Sequence, residues 1–273
     1  MPIKVPSGLR RLNYEQFSQA AYEVMEVVFA VHKALGRLFD ETIYQHEIAR
    51  RLNGARIEVP IEVSYESFCK TYYLDLVFAG GALFELKAVE ALVNRHRAQL
   101  LHYLLLADLL HGKLVNMRLE AVEHEFVNAA ITREDRIRFA VEDRDFVNAG
   151  GGNCLREVTV AILRDWGVGL DIGLYEEVLT HFLGGCEKVQ QPVGVFVDGS
   201  EAGNQVLRLA EPGVAFKISA LGEGRQRYES HLRRFLAHTS LDCIQWINVG
   251  RRVVTFKTIS GELKSRTRWT REL

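Results

Sequence analysis

The residues best equipped for chemistry are three charges in an apolar stretch. Asp75, Glu85 and Lys87 stand among Leu74, Leu76, Val77, Leu83, Phe84 and Leu86. Between them Gly80-Gly81 reads as a hairpin turn, so strands over 68–78 and 82–89 run antiparallel and bring Asp75 within one or two residues of Glu85. Glu85 and Lys87 are two apart on one strand and share a face. Charges on otherwise buried central strands are costly unless they pair or hold a metal. Two carboxylates on neighbouring strands suit a hard divalent cation such as Mg²⁺, with Mn²⁺ as its substitute. Such an ion lowers the pKa of a bound water and neutralises charge on a phosphate. Lys87 would orient that water or stabilise the developing negative charge. The plainer reading of the same spacing is a structural Glu–Lys or Asp–Lys pair on a solvent-facing side.

Other residues point to the same place. Glu41 lies on a helix expected over 40–53, three residues before Tyr44. Gln99 and Tyr103 stand at i and i+4 on a leucine-rich helix expected over 93–110, hence on one face. Gln99 offers a donor and an acceptor, Tyr103 a hydroxyl on an apolar ring. His96 shares that face and His32 ends the preceding amphipathic helix; both read as ordinary, satisfied histidines. That earlier helix carries Phe17, Ala21, Val24, Val28, Val31 and Leu35, is opened by an Asn13/Gln16 capping box and is stopped by Gly36. Ile57, Val59, Ile61, Val63 and Tyr65 alternate as in a half-buried strand, with Pro60 marking an edge or a bulge. Strands over 113–118 and 121–128 close the half. Helix, helix, three strands, helix, two strands describes an α/β sandwich with a mixed sheet.

The ordered strings Val31-His32-Lys33-Ala34-Leu35-Gly36, Glu41-Thr42-Ile43-Tyr44, Leu74-Asp75-Leu76-Val77, Phe84-Glu85-Leu86-Lys87-Ala88-Val89 and His96-Arg97-Ala98-Gln99-Leu100-Leu101-His102-Tyr103-Leu104 resemble the GxxExxY family of the PD-(D/E)XK nuclease superfamily. The likeness covers about residues 20–128. It implies Asp75 and Glu85 as metal ligands, Lys87 as the catalytic lysine and Glu41 as a further acid at the metal. It also implies Gln99 and Tyr103 as the Gln-x-x-x-Tyr feature beside the active site. One departure is Asn116-Met117-Arg118, where that family usually ends the strand in Asn-Phe-Gly.

The second half reads as the first again. Gly36, Tyr44 and Gly54 recur 131 residues later as Gly167, Tyr175 and Gly185, and residues 81–116 share eight identities with 213–248 at an offset of 132. Two tandem restriction-endonuclease-like α/β sandwich lobes with central mixed sheets, related by internal duplication, are therefore expected. Their bounds are 1–131 and 154–273, around a linker at 132–153 that ends in a glycine run. The second copy lacks the charges: Glu41 falls on Ile172, Glu85 on Lys217, Lys87 on Ser219, Gln99 on His231, and Asp75 on Leu207 or Arg208. A degenerate lobe without metal is expected, acting as a pseudo-dimer partner or substrate clamp. Residues 1–147 carry 18 Lys/Arg and 21 Asp/Glu, whereas 148–273 carry 16 and 14. Arg225, Arg227, Arg233 and Arg234 cluster on one expected helix, and Arg251-Arg252 and the tail at 264–271 add cations and a tryptophan. These are candidate nucleic-acid contacts; a solvated face is the plainer account.

For 273 residues, 48% hydrophobic and 25% charged with a net charge of −1, the composition is globular and excludes a uniformly basic nucleic-acid coat. No apolar run reaches the ~18 residues of a spanning helix, and the start lacks a signal-peptide core, so a cytoplasmic protein with no membrane partner is expected. The four scattered cysteines are expected as small buried hydrophobes rather than disulfides or zinc ligands. The function expected is metal-dependent hydrolysis of nucleic-acid phosphodiesters, DNA first. The alternative is a non-catalytic nucleic-acid- or protein-binding module built from two nuclease-like lobes.

Overall fold

The computed structural model describes residues 2–147 and 152–261, the side chains of 152 and 153 excepted. The chain divides into two units, Met1–Asp135 and Arg136–Leu273.

Unit 1 runs β1 (Ile3–Lys4), α1 (Tyr14–Leu35), α2 (Glu41–Arg51), β2 (Arg56–Tyr65), β3 (Phe68–Phe78), β4 (Ala82–Lys87), α3 (Asn94–Ala107), β5 (His111–Asn116) and β6 (Glu123–Asn128). The six strands lie side by side in chain order. Only β4 and β5 are parallel, because α3 carries the chain back between them, as a parallel pair requires. The capping box at α1 forms as the spacing implies: Gln16 N–H donates to Asn13 Oδ1 at 2.9 Å and Asn13 N–H to Gln16 Oε1 at 3.1 Å. From there α1 and α2 bury Phe17, Val24, Val28, Val31, Tyr44 and Ile48 against Leu76, Phe84, Leu86 and Val115. Strand periodicity then turns Glu85 and Lys87 to the opposite face, the one α3 covers. Gly112 on β5 is needed under that helix, since a Cβ there would meet Leu100 at 3.0 Å. Gly81 is needed at the β3–β4 turn: the N-terminal segment crosses so closely that a Cβ would lie 2.1 Å from the Arg10 carbonyl oxygen.

Unit 2 runs β7 (Ala140–Asp145), α5 (Gly152–Trp166), α6 (Ile172–Phe182), α7 (Cys186–Val189), β8 (Gln190–Val197), β9 (Ser200–Glu211), β10 (Val214–Ser219), α8 (Arg225–Ala237), β11 (Cys243–Val249) and β12 (Val253–Ser260). Its sheet order is β7-β12-β11-β10-β9-β8, so β8 to β12 repeat the adjacency of β2 to β6. Again only the pair after the hairpin, β10 and β11, is parallel within that run. The first strands differ: β1 joins β2 antiparallel, whereas β7 joins β12 parallel at the other edge.

Details recur at the same offsets. Leu83 faces Gly112 and Ala215 faces Ile244. Tyr44 donates to Gly36 O at 2.8 Å and accepts from Phe39 N–H; Tyr175 donates to Gly167 O at 2.5 Å and accepts from Leu170 N–H. Asn116 bonds both the N–H and the C=O of Val89, as Asn248 does those of Leu221.

The stretch 132–153, compositionally a connector, holds a short helix α4 (Arg133–Arg136) and strand β7. Burial of all four cysteines does not hold: Cys69, Cys154 and Cys186 are exposed and only Cys243 is buried. Cys69 sits on a strand paired in register with Ser64, next to the β2–β3 turn, where the sheet end meets solvent. Among the described residues no helix is long and apolar enough to cross a membrane. The basic tail at 264–271 lies outside the described residues.

Candidate active site

Three elements of unit 1 deliver charge to one point. The strand β4 places Glu85 and Lys87 on the α3 side, both buried. The adjoining β3 supplies Asp75 where its pairing with β4 stops at Leu76–Phe84; the freed Leu86 N–H donates to Asp75 Oδ2 at 2.8 Å. The first turn of α2 supplies Glu41, where the helix N-terminus favours a carboxylate. All three carboxylates close on the Lys87 ammonium, at 2.9 Å from Glu85, 3.2 Å from Glu41 and 3.5 Å from Asp75. Lys87 is aimed by donating to Leu86 O at 2.6 Å.

The charges do not balance. Glu85 is 0% exposed, and no donor is aligned to hydrogen-bond either of its oxygens. Burial, then repulsion from Asp75, pushes its carboxyl up to about 8 despite Lys87. Burial raises Asp75 to about 6, against the pull of Lys87 and the Leu86 N–H and with repulsion from Glu41 and Glu58. For Lys87 burial acts downward, but Glu85, Asp75 and Glu41 overcome it and raise the amine above its ordinary value. With all three carboxylates ionised, the group around one ammonium would carry a net charge of −2, which a divalent cation would offset. Hard oxygen donors, two of them largely buried, fit such an ion chemically. As placed, they close on Lys87 rather than on one another: among the described residues no three His, Cys, Asp or Glu side chains are arranged to hold a metal.

Gln99 and Tyr103 are joined on α3, Gln99 Nε2 donating to the Tyr103 hydroxyl at 3.1 Å. Burial raises the phenol, the Gln99 bond opposes this, and Glu85, Asp75 and Lys87 act on it through space. His96 accepts from Val93 N–H at 3.2 Å and His32 lies 3.0 Å from Leu119 O; both are satisfied within the fold. Two residues escaped the spacing argument. Gln45, one helical turn beyond Glu41, is buried and donates to Asp75 O at 2.6 Å and to Glu58 Oε1 at 2.7 Å. The i+4 relation to Glu41 was a signal for Gln45; for Glu58 there was none.

Residues 18–129 match the PD-(D/E)XK nuclease superfamily. The matched stretch begins in α1 and ends just beyond β6, covering under half the chain. It contains every residue of the carboxylate–lysine cluster and stops short of unit 2. PD-(D/E)XK proteins are typically phosphodiesterases that use divalent metal ions. No curated protein and no solved structure matches the chain.

In unit 2 the corresponding positions are chemically different. Leu209 faces Ala215 as Val77 faces Leu83, which places Leu207 opposite Lys217 where Asp75 stands opposite Glu85. Leu207 is packed into the apolar cluster under α8. Ser219, in the place of Lys87, accepts from Trp246 Nε1 at 2.9 Å and donates to Asn248 Oδ1 at 2.8 Å. Its hydrogen-bonding capacity is consumed inside the fold. Arg225, Arg227, Arg233 and Arg234 are exposed on α8. The face is mixed in sign: Arg233 pairs with Glu229 at 2.7 Å, and Glu229 also holds Lys257 at 3.0 Å.

Proposed function

We propose that the chain is a Mg²⁺- or Mn²⁺-dependent nuclease of the GxxExxY kind that hydrolyses phosphodiester bonds of nucleic acid, DNA in particular, at one site in unit 1. The observation that carries this is the closure of Glu41, Asp75 and Glu85 on the Lys87 ammonium, within the stretch matching the nuclease superfamily. Asp75 and Glu85 would hold the ion, with Glu41 beside them. When bound, it supplies charge neutralisation at a phosphate and a more acidic water.

The chain's own groups do the rest. Leu86 N–H fixes the Asp75 carboxylate before substrate arrives. Lys87, released from three-way pairing, directs its ammonium at the phosphate oxygen where negative charge develops. Gln99 and Tyr103 present an amide and a phenol to a neighbouring phosphate oxygen. Unit 2, in this reading, is a degenerate copy of unit 1 and catalytically silent; the recurring tyrosine and asparagine hydrogen bonds support common descent. Its exposed Arg225, Arg227, Arg233 and Arg234 are proposed contacts to the phosphate backbone.

Purified protein with Mg²⁺ or Mn²⁺ should cleave plasmid and linear DNA, and Glu85→Gln and Lys87→Ala should each abolish cleavage. Equal activity in wild type and both variants would mark a contaminant. If the wild type takes up no Mn²⁺ at millimolar concentration in calorimetry, the non-catalytic binding module replaces this reading.

A further inference from the structure

Five non-glycine residues among those described have left-handed backbone: Glu58, Glu66, Ala79, Asp108 and Asp198. Glu66 lies in the β2–β3 turn and Ala79 in the β3–β4 turn, Asp198 lies in the β8–β9 turn, and Asp108 caps α3. Glu58 alone stands inside a strand, at φ +50°. A non-glycine residue twisted there is strained and persists only where its surroundings hold it. Glu58 also lies directly across from Asp75. In the β2/β3 ladder Ile57 faces Leu76 and Val59 faces Leu74, with the register unchanged, yet the pair between them, Glu58 and Asp75, is skipped. The Asp75 carbonyl is taken up instead by the buried Gln45 amide, and the same amide nitrogen holds Glu58 Oε1.

Unit 2 offers an internal contrast. Opposite Leu207, which occupies the place of Asp75, the β8/β9 ladder is continuous with Gln191 as its partner. No residue of β8 has a positive φ. The break in the ladder accompanies the carboxylate.

We propose that Glu58 and Gln45 are positioning residues for Asp75. The twist at Glu58 frees the Asp75 peptide from the ladder, and the Glu58–Gln45–Asp75 hydrogen bonds set that peptide so its carboxylate reaches Leu86 N–H and the cation position. The claim rests on the metal-dependent reading above and concerns how the first ligand is held, a supporting role whose loss typically weakens metal binding about 10–100-fold.

The test is calorimetric titration of Mn²⁺ into the full chain, with thermal melts and plasmid cleavage alongside. Glu58→Ala and Gln45→Leu should weaken Mn²⁺ binding by about tenfold or more and lower kcat with KM for DNA little changed. Glu58→Gln keeps a carbonyl that accepts from Gln45 and should retain wild-type affinity. Glu58→Gly relieves the backbone twist as it removes the side chain; it should melt at or above the wild-type temperature while losing metal as Glu58→Ala does. That combination separates positioning from loss of fold. Wild-type affinity in Glu58→Ala and Gln45→Leu would overturn the proposal and leave the metal site standing. So would a Glu58→Gln loss as large as that of Glu58→Ala, which would make charge rather than the hydrogen bond the cause. A wild type that takes up no Mn²⁺ would remove the metal site and this proposal together.

Discussion

Glu85 concentrates the cost of the site in one side chain: a carboxyl with 0% exposure whose partner, Lys87, is shared with two other acids. A buried charge that is imperfectly compensated destabilises the fold that carries it. Glu85→Gln should therefore raise the melting temperature of the metal-free protein while abolishing Mn²⁺ uptake and cleavage; a lower melting temperature would contradict the electrostatic account. The pH dependence follows from the raised carboxyls, Asp75 to about 6 and Glu85 to about 8 from ordinary values near 4. In that window the metal-free fold binds more protons than the unfolded chain. Its stability is then greatest at the acid end and falls as pH rises through 6 and 8. Metal affinity runs the other way, because ligands must shed those protons first. Chemical denaturation at several pH values checks the first trend, and Mn²⁺ calorimetry in buffers of different ionisation enthalpy checks the second through proton release.

At the scale of elements, the site depends on where strands stop pairing. Asp75 becomes a ligand candidate because the β3–β4 pairing ends at Leu76–Phe84, just short of it, and the β2–β3 ladder skips the pair it would form with Glu58. The end of β4 is held by Asn116, fully buried on β5, which bonds both backbone groups of Val89 two residues beyond Lys87. Asn248 does the same for Leu221 in unit 2. Each alanine substitution leaves half-buried peptide groups without their partner and should cost about 0.5–1.5 kcal/mol in denaturant unfolding. Asn116→Ala should also slow cleavage, whereas Asn248→Ala should leave the cleavage rate of folded protein unchanged.

Across the whole molecule, two sheets that share the adjacency of five strands carry different side chains at matching positions. Lys87 gathers three acids, whereas Ser219 is bonded to Trp246 and Asn248 and Leu207 is sealed beneath α8. Lys217→Ala and Ser219→Ala should consequently leave cleavage intact under conditions where Lys87→Ala abolishes it. Comparable losses from both sets would place chemistry in unit 2 and end the view of it as a silent copy.

Much of this was fixed locally and so could be read from residue types. The Asn13/Gln16 box, the hairpin at Gly80-Gly81, the alternation through Glu85-Leu86-Lys87 and the i, i+4 pair Gln99/Tyr103 each need only neighbours a few residues away. The different residue types at Lys217 and Ser219, set against Glu85 and Lys87, were equally plain, because residue type needs no geometry to be read. Three outcomes required the packed chain. Cys69, Cys154 and Cys186 are exposed, since a thiol's burial depends on what covers it and not on its own apolarity. The compositional connector at 132–153 includes β7, because an edge strand's partner, β12, lies more than a hundred residues away. And Glu58 joined the site through a backbone twist and a glutamine from another element. Periodicity assigns a side chain to a face of a strand, but only tertiary packing can hold one residue in a conformation its own sequence disfavours.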